Sequence, residues 1–304
     1  MTDVVFLVNP ASANGSTGRR WPDIARRAKA AGLVGEALVS GRPGEIVELA
    51  EGAAAGGART VVAVGGDGTI HEAVNGLVRS GARDVEFAVL SCGTGSDFVR
   101  SLRIPTKLDQ AIAVACEGAT RSIDIGRASY TVPGGAPAET YFANFAGAGI
   151  SGAIAGRANA SSKAFGGRVS FIWATVAVFA WWKSVEVEVR VDDDRRTGRM
   201  FEVLAMNGEY TAGGMRATPL AAADDGVFDV LLIGDVTKTD FLATFPKIYR
   251  GRHLGHAKIE RLRGRKIAVE SASPLPIALD GEQPGTTPAT FEVVPGALRL
   301  RVTA

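Results

Sequence analysis

The first part of the chain alternates short apolar runs with stretches that have a helical pattern. The apolar runs, such as residues 4–8 and 60–64, are continuous and contain no alternating polar positions. Strands of this kind are typical of a parallel sheet that is covered by helices on both faces. The predicted strands are 4–8, 38–40, 60–64 and 86–91, and the predicted helices are 21–31, 45–55, 70–80 and 108–117.

After about Asp124 the pattern changes to short β-rich runs, many of them separated by Asp, Gly and Pro turns. The predicted strands here are 141–145, 185–191, 201–206, 227–233, 266–269 and 298–302. We interpret this second part as an antiparallel, sandwich-like β domain with a few helices. The sequence therefore predicts an α/β domain over residues 1–124 and a β-rich domain over residues 125–296.

Composition and charge exclude several classes of protein. Hydrophobic residues make up 46% and charged residues 22%, which suits a packed core and excludes a disordered chain. The net charge of +2 argues against a nucleic-acid binder that depends on overall positive charge. The two cysteines without a CxxC motif favour a protein of a reducing cytosol over a disulfide scaffold. The first residues predict a strand rather than a signal peptide.

Three loops rich in Gly, Ser and Thr follow predicted strands of the first part. They begin at Asn9, at Gly65 (GGDGT) and at Gly93 (GTGSD). Parallel strands bring their carboxyl ends to one edge of the sheet, where α/β proteins bind ligands. Glycines there let backbone N–H groups approach phosphate oxygens, and a helix N-terminus favours negative charge. The loops predict a nucleotide-phosphate cradle without a Walker sequence, and an unliganded glycine-rich turn is the alternative.

These loops resemble those of the diacylglycerol kinase catalytic-domain family of soluble bacterial lipid kinases, which is similar to sphingosine kinases. GGDGT is the ATP-phosphate loop of that family, and residues 65–69 match it fully. The second loop of the family usually carries Asn where this chain has Ser96. The resemblance implies that ATP is bound by Asn9, Ser40, Gly65, Gly66, Asp67, Gly68, Thr69, Glu72, Gly93, Thr94, Gly95, Ser96 and Asp97.

The resemblance continues in the second part, through Gly213-Gly214-Met215 and Asp225-Gly226. It implies a magnesium ion held by Asp225 and by the backbone carbonyls of Ala222 and Val227, with Asp124 in a network of water and magnesium. Oxygen ligands of this kind suit a hard cation. Without the resemblance, residues 224–226 predict only a β-turn before the next strand.

Asp280-Gly281-Glu282 stands where the family has its catalytic DGE motif. Phosphoryl transfer to a hydroxyl needs a carboxylate that accepts the hydroxyl proton. The resemblance implies that Asp280 or Glu282 supplies it. We favour Asp280 as the base and Glu282 as its close partner, although the sequence does not separate the two roles.

The motifs follow the order of the family from Asn9 to Glu282. The resemblance implies a first domain like that of NAD kinases and a terminal segment, about 297–304, that returns to it. It implies an ATP- and Mg²⁺-dependent lipid kinase, most directly one that converts diacylglycerol to phosphatidic acid. The alternatives are a kinase of phosphatidylglycerol or of a sphingoid base, an NAD kinase, and a non-enzymatic nucleotide sensor or membrane-binding regulator.

Two segments are candidates for membrane contact. Residues 169–182 are apolar and Trp-rich with basic flanks, which is typical of an interfacial helix, and a core helix is the alternative. Residues 247–266 carry eight basic residues and the single acid Glu260, which would attract anionic headgroups or form a solvated face. We expect a cytoplasmic protein, peripheral to the inner face of the membrane, that acts on lipid and binds no nucleic acid. A homodimer is an alternative to a monomer. His253 and His256 are expected on the surface.

Overall fold

The computed structural model describes residues 3–93, 96–160 and 175–303. The chain forms two compact units, which we call unit 1 (Met1–Asp124 with Pro295–Ala304) and unit 2 (Ile125–Val294). The expected fold class, an α/β domain followed by a β-rich domain, is confirmed. Thr94, Gly95 and residues 169–174, about which the sequence made predictions, lie outside the described residues.

The sheet of unit 1 is parallel. Its strands are β1 (Val4–Val8), β2 (Glu36–Val39), β3 (Thr60–Gly65) and β4 (Glu86–Ser91), in the order β2-β1-β3-β4. The end of the last strand, β16 (Thr286–Val302), pairs in parallel with β4, with Arg299 opposite Glu86 and Leu300 opposite Phe87. The final residues of the chain therefore complete a sheet that its first residues begin.

Helices cover both faces of this sheet. They are α1 (Ser16–Ala30), α2 (Glu45–Ala55), α3 (Asp67–Ser80), α4 (Asp97–Ser101) and α5 (Leu108–Glu117). Phe6, Val8, Val62 and Val64 pack in one cluster with buried residues of α1 and α5. Side chains of a strand alternate between its faces, so the intervening strand residues face the other side, where α2 and α3 pack on each other. Burial on both faces explains why these strands are continuously apolar.

Unit 2 is mainly antiparallel. Its strands are β5 (Ala119–Thr131, which begins in unit 1), β6 (Pro137–Phe142), β7 (Phe145–Gly149), β8 (Val185–Val191), β9 (Asp194–Met206), β10 (Tyr210–Thr211), β11 (Met215–Arg216), β12 (Phe228–Gly234), β13 (Ile259–Gly264), β14 (Lys266–Ser271) and β15 (Ile277–Leu279). The main order is β13-β12-β9-β8-β14-β16, and β7 pairs with β9 and β15. The single strand predicted over 141–145 is wrong, because the chain leaves the strand conformation between Phe142 and Phe145.

The described part of unit 2 contains the helices α6 (Ile150–Ala160) and α7 (Lys238–Ile248), and residues 175–181 are also helical. The core contains Phe142, which contacts the rings of Phe228 and Phe291. Val178 and Trp182 are buried in the same core, so the segment around residues 175–182 contributes to it. No helix among the described residues is long and apolar enough to span a membrane.

The expectation that His253 lies on the surface is wrong. Its side chain is only 2% exposed, and burial lowers its pKa. The basic residues on either side of it stay exposed, which is why the local sequence predicts a surface segment.

Candidate active site

The phosphate loops of unit 1 meet at the carboxyl ends of the parallel strands. The side-chain amide of Asn9, after β1, donates a hydrogen bond to Oγ1 of Thr69, at the start of α3, over 3.1 Å. Gly93, after β4, lies so close to Gly66 that a Cβ atom on Gly93 would be 2.8 Å from the Gly66 Cα. The loops after β1, β3 and β4 therefore form one cluster, and glycine is required where two of them touch.

The start of α3 is open to an anion. Gly66 precedes the helix in an extended conformation, and no side chain in the described part of the protein caps the helix start. The first N–H groups of a helix have no partner within the helix, and they favour negative charge. Asp67 and Gly68 occupy this first turn, so the GGDGT sequence places backbone donors where a phosphate group could accept from them.

Two predicted nucleotide residues lie beside this cluster. The backbone N–H of Ser40, after β2, donates to the carbonyl of Val8 over 2.9 Å, and Ser40 is buried. Glu72, on α3, accepts a hydrogen bond from the backbone N–H of Gly44 over 3.3 Å. These contacts tie the loop between β2 and α2 to the end of β1 and to α3.

Ser96 of the GTGSD sequence lies close to the end of β4. Its hydroxyl lies 3.0 Å from the Ser91 hydroxyl and 3.3 Å from the Gly93 carbonyl, and its φ of 56° is left-handed. Asp97 follows at the start of α4, where it is buried and lies 3.1 Å from the Arg100 guanidinium. Ser96 therefore contacts both the end of β4 and Gly93.

Asp124 is buried at the end of unit 1. Its Oδ1 accepts a hydrogen bond of 2.8 Å from the backbone N–H of Gly296. Asp124 thus connects β5 to the returning strand β16. This contact is a structural role, separate from the predicted role in a network of water and magnesium.

The carboxylates of the DGE turn have different surroundings. Asp280 accepts hydrogen bonds from three consecutive backbone N–H groups, those of Ala143, Asn144 and Phe145, over 2.7–3.0 Å. Both of its oxygens are used, and its φ of 50° is left-handed. Asp280 thereby satisfies the backbone donors of the break between β6 and β7 and fixes the turn in place.

Glu282 is exposed on the same turn. Its Oε2 accepts a 2.8 Å hydrogen bond from the side-chain amide of Asn159, near the end of α6. The same helix packs closely on the strand that leads to the turn, since a Cβ atom on Gly152 would be 2.3 Å from the Pro276 carbonyl oxygen. Helix α6 therefore holds the turn and directs one oxygen of Glu282.

A buried carboxylate holds the start of α6. Glu202, on β9, accepts hydrogen bonds of 2.7 Å from both the backbone N–H and the hydroxyl of Ser151. Burial raises the pKa of Glu202 to about 7, against the effect of these hydrogen bonds. The sequence analysis missed this residue, although a lone acid within the apolar run 201–206 was a signal for it.

The predicted magnesium ligands Ala222, Asp225 and Val227 share one turn before β12. The carboxylate of Asp225 accepts from the Val227 N–H over 3.3 Å and is also bound by the guanidinium of Arg263. The described residues contain no cluster of three or more acidic, His or Cys side chains that could hold a metal ion. The oxygen donors of this turn suit magnesium, but a cation on Asp225 would compete with Arg263, which binds Oδ2 of this carboxylate.

Two family descriptions match the chain. The diacylglycerol kinase catalytic domain matches residues 3–128, and the YegS C-terminal NAD kinase beta sandwich-like domain matches residues 144–302. The diacylglycerol kinase of Staphylococcus saprophyticus is 25% identical over 286 residues, which cover 94% of this chain and 90% of the relative. The diacylglycerol kinase of Staphylococcus epidermidis is 27% identical, with 94% of this chain and 87% of the relative covered.

A solved structure has the same fold. A candidate diacylglycerol kinase from Bacillus anthracis strain Sterne superposes with a TM-score of 0.78 and 23% identity, over 99% of this chain and 95% of that one. The family resemblance of the motifs is confirmed by the matches to both parts of the chain. The chain therefore belongs to the diacylglycerol kinase family, with the catalytic domain of that family followed by its NAD-kinase-like β-sandwich domain.

Proposed function

We propose that this protein transfers the γ-phosphoryl group of ATP to the hydroxyl of a membrane lipid, most directly diacylglycerol, which gives phosphatidic acid. The observation that carries the proposal is the joint presence, in a member of this family, of the clustered phosphate loops and the DGE turn. The curated relatives that cover nearly the whole chain carry the name diacylglycerol kinase.

The ATP phosphates would bind at the cluster around Gly66 and Gly93. Support comes from the start of α3, which no described side chain caps, and from the close contact between the two glycines, which brings the two loops together. Asn9, through its bond to Thr69, would hold the loop after β1 against this cradle. Positioned donors of this kind stabilise the charge on the transferred group.

Glu282 is the proposed base. The lipid oxygen forms a bond to the γ-phosphorus as the bond from that phosphorus to the ADP oxygen breaks, and the hydroxyl proton moves to the Glu282 carboxylate. The proposal is supported by the exposure of Glu282 and by the hydrogen bond from Asn159 that orients it. Asp280, which the sequence analysis favoured, has both oxygens occupied by backbone donors, so we propose that it fixes the turn.

Magnesium would enter this reaction bound to ATP, where it neutralises phosphate charge. The pairing of Asp225 with Arg263 is the reason why we do not assign a separate ion to the turn before β12. Since long-chain acceptors stay in the bilayer, the proposed reaction places the protein in the cytoplasm with a peripheral contact to the membrane.

A kinase assay over a panel of acceptors tests the proposal. Labelled ATP is incubated with diacylglycerol, phosphatidylglycerol, sphingosine and NAD, and the expected result is phosphorylation of diacylglycerol. Glu282→Gln serves as the inactive control, because an amide of the same shape cannot accept the proton. Phosphorylation of NAD alone would contradict the proposal, and phosphorylation of another lipid alone would change only the acceptor.

A further inference from the structure

One surface of unit 2 is not used by the proposed reaction. It is formed by helical residues 175–181 and by α7. The ring of Phe179 stacks on that of Phe241, with 4.3 Å between their centroids, and the ammonium group of Lys238 donates to the carbonyl of Ala180. These contacts join the two helices into one surface, which we call the aromatic face.

The aromatic face leaves large apolar side chains in solvent. Val176, Trp181, Leu242 and Tyr249 are 58%, 58%, 62% and 48% exposed. None of the residues of α7 is buried, although aromatic rings contact one another along the helix. Neighbouring exposed apolar side chains on two joined helices are typical of an interaction surface, whereas single ones are ordinary.

Cations flank these apolar residues. Lys183, Lys247, Arg250 and Arg252 are exposed, and none of them forms an ion pair with another residue that the structure describes. The acids of this region are already neutralised, since Asp240 lies 3.0 Å from the ammonium of Lys258 and Asp235 lies 3.4 Å from the guanidinium of Arg199. The excess charge around the aromatic face is therefore positive.

We infer that the aromatic face docks onto the surface of a bilayer that contains anionic lipids. Trp and Tyr side chains favour the boundary between the bilayer and water, and cations beside them attract anionic headgroups. An anionic bilayer complements both the apolar side chains and the uncompensated cations. The inference rests on the proposed function, because a kinase of long-chain diacylglycerol has to reach a substrate that stays in the bilayer.

Vesicle binding tests the inference directly. Leu242→Glu places a charge on the aromatic face, and Val34→Glu is its matched control, since Val34 is 61% exposed but lies in unit 1. Binding is measured by sedimentation with vesicles of phosphatidylcholine and phosphatidylglycerol. We expect Leu242→Glu to lower the partition coefficient about tenfold or more, and Val34→Glu to leave it unchanged.

The double variant Lys247→Glu/Arg250→Glu tests whether the cations contribute to vesicle binding. It still tests the aromatic face if Leu242→Glu fails to fold. Each cation near an anionic surface contributes about a fivefold change in partition. The variant is therefore expected to lose binding to the anionic vesicles while binding to pure phosphatidylcholine vesicles changes little. Equal binding of this variant and the wild type to anionic vesicles would overturn the inference.

An activity assay separates docking from chemistry. Leu242→Glu is expected to lose activity toward long-chain diacylglycerol in vesicles but to keep the wild-type kcat/KM for a dispersed short-chain diacylglycerol. If the wild type phosphorylates neither substrate, the proposed function fails while the vesicle experiment still decides the docking surface. Wild-type vesicle binding by Leu242→Glu, equal loss in Val34→Glu, or a dimer that Leu242→Glu dissociates would each overturn the inference.

Discussion

Three carboxylates of unit 2 differ in their expected roles because their surroundings differ. Asp280 accepts from three backbone N–H groups, whereas Glu282, two residues later, is exposed and accepts from one side-chain amide. Glu202 is buried, and its pKa is raised to about 7. Residue type alone does not reveal these differences, but each one leads to a measurable expectation.

Glu282→Gln and Asp280→Asn should have opposite consequences. Loss of a general base lowers kcat by about 10²–10⁴-fold, so Glu282→Gln should be nearly inactive with an unchanged thermal midpoint. In Asp280→Asn, the NH₂ group replaces an oxygen that accepts from backbone N–H groups, so donors face a donor. This variant should lower the free energy of unfolding by about 1–3 kcal/mol. Steady-state kinetics and thermal unfolding of both variants check this. Full activity of Glu282→Gln would refute the base assignment.

Glu202 should make stability depend on pH. Below pH 4.5 its carboxyl group is protonated in the folded and the unfolded protein, and above about 7 it is ionised in both. Because the folded pKa is raised, stability is lost as the pH rises through that range, by on the order of 3 kcal/mol. Glu202→Gln cannot ionise, so its urea unfolding free energy should fall less between about pH 5 and pH 8. Glu186→Gln, at an exposed position of β8, should leave the wild-type dependence unchanged.

Arg263 should compete with magnesium for Asp225. In a calorimetric titration with magnesium chloride and no nucleotide, the wild type should bind weakly, since the guanidinium already binds one oxygen of the carboxylate. Arg263→Gln should bind more tightly, because it removes the competing charge. Tight binding by the wild type that is lost in Asp225→Asn would show instead that the turn is a magnesium site.

At the scale of elements, helix α6 connects the core of unit 2 to the DGE turn. Glu202 binds its start, Gly152 in its first turn packs on the residues before the DGE turn, and its last turn carries Asn159. A displacement of this helix should therefore reach Glu282 without any change to the turn itself.

Gly152→Ala should test this connection. The new Cβ atom would lie 2.3 Å from the Pro276 carbonyl oxygen, so the helix or the strand has to move. We expect a loss of about 1–3 kcal/mol in unfolding free energy together with a lower kcat. Gly52→Ala in α2 is the control, since nothing lies within 4 Å of its Cβ, and it should stabilise the protein by about 0.5–1 kcal/mol. Destabilisation by both variants alike would remove the argument for close packing at Gly152.

At the scale of the whole molecule, the sequence predicts the parallel sheet best. The predicted strand 86–91 and helix 108–117 coincide with β4 and α5, because burial on both faces leaves a continuous apolar pattern. Helix α7 was missed, since its apolar residues lie among β-rich runs and none of them is buried. The first half of β9 was missed because its exposed residues, DRRTGR, have the composition of a turn.

The roles of the site residues were harder to predict than their positions. The motifs identified the DGE turn, but the division between Asp280 and Glu282 depends on backbone donors more than 130 positions away in the chain. The burial of His253 and the capping of α6 by Glu202 likewise arise from contacts between distant segments. Local patterns carry no information about such contacts.

The pairing of β16 with β4 has a consequence for the order in which the protein can fold during translation. Residues 1–124 leave the ribosome first. The outer edge of β4 stays unpaired until Arg299 and Leu300 are synthesised, after all of unit 2. Unit 2 is one uninterrupted stretch of chain, whereas unit 1 is made in two pieces. The half that is synthesised first is therefore the half that is completed last, and until then it presents an open strand edge of the kind that chaperones protect from aggregation.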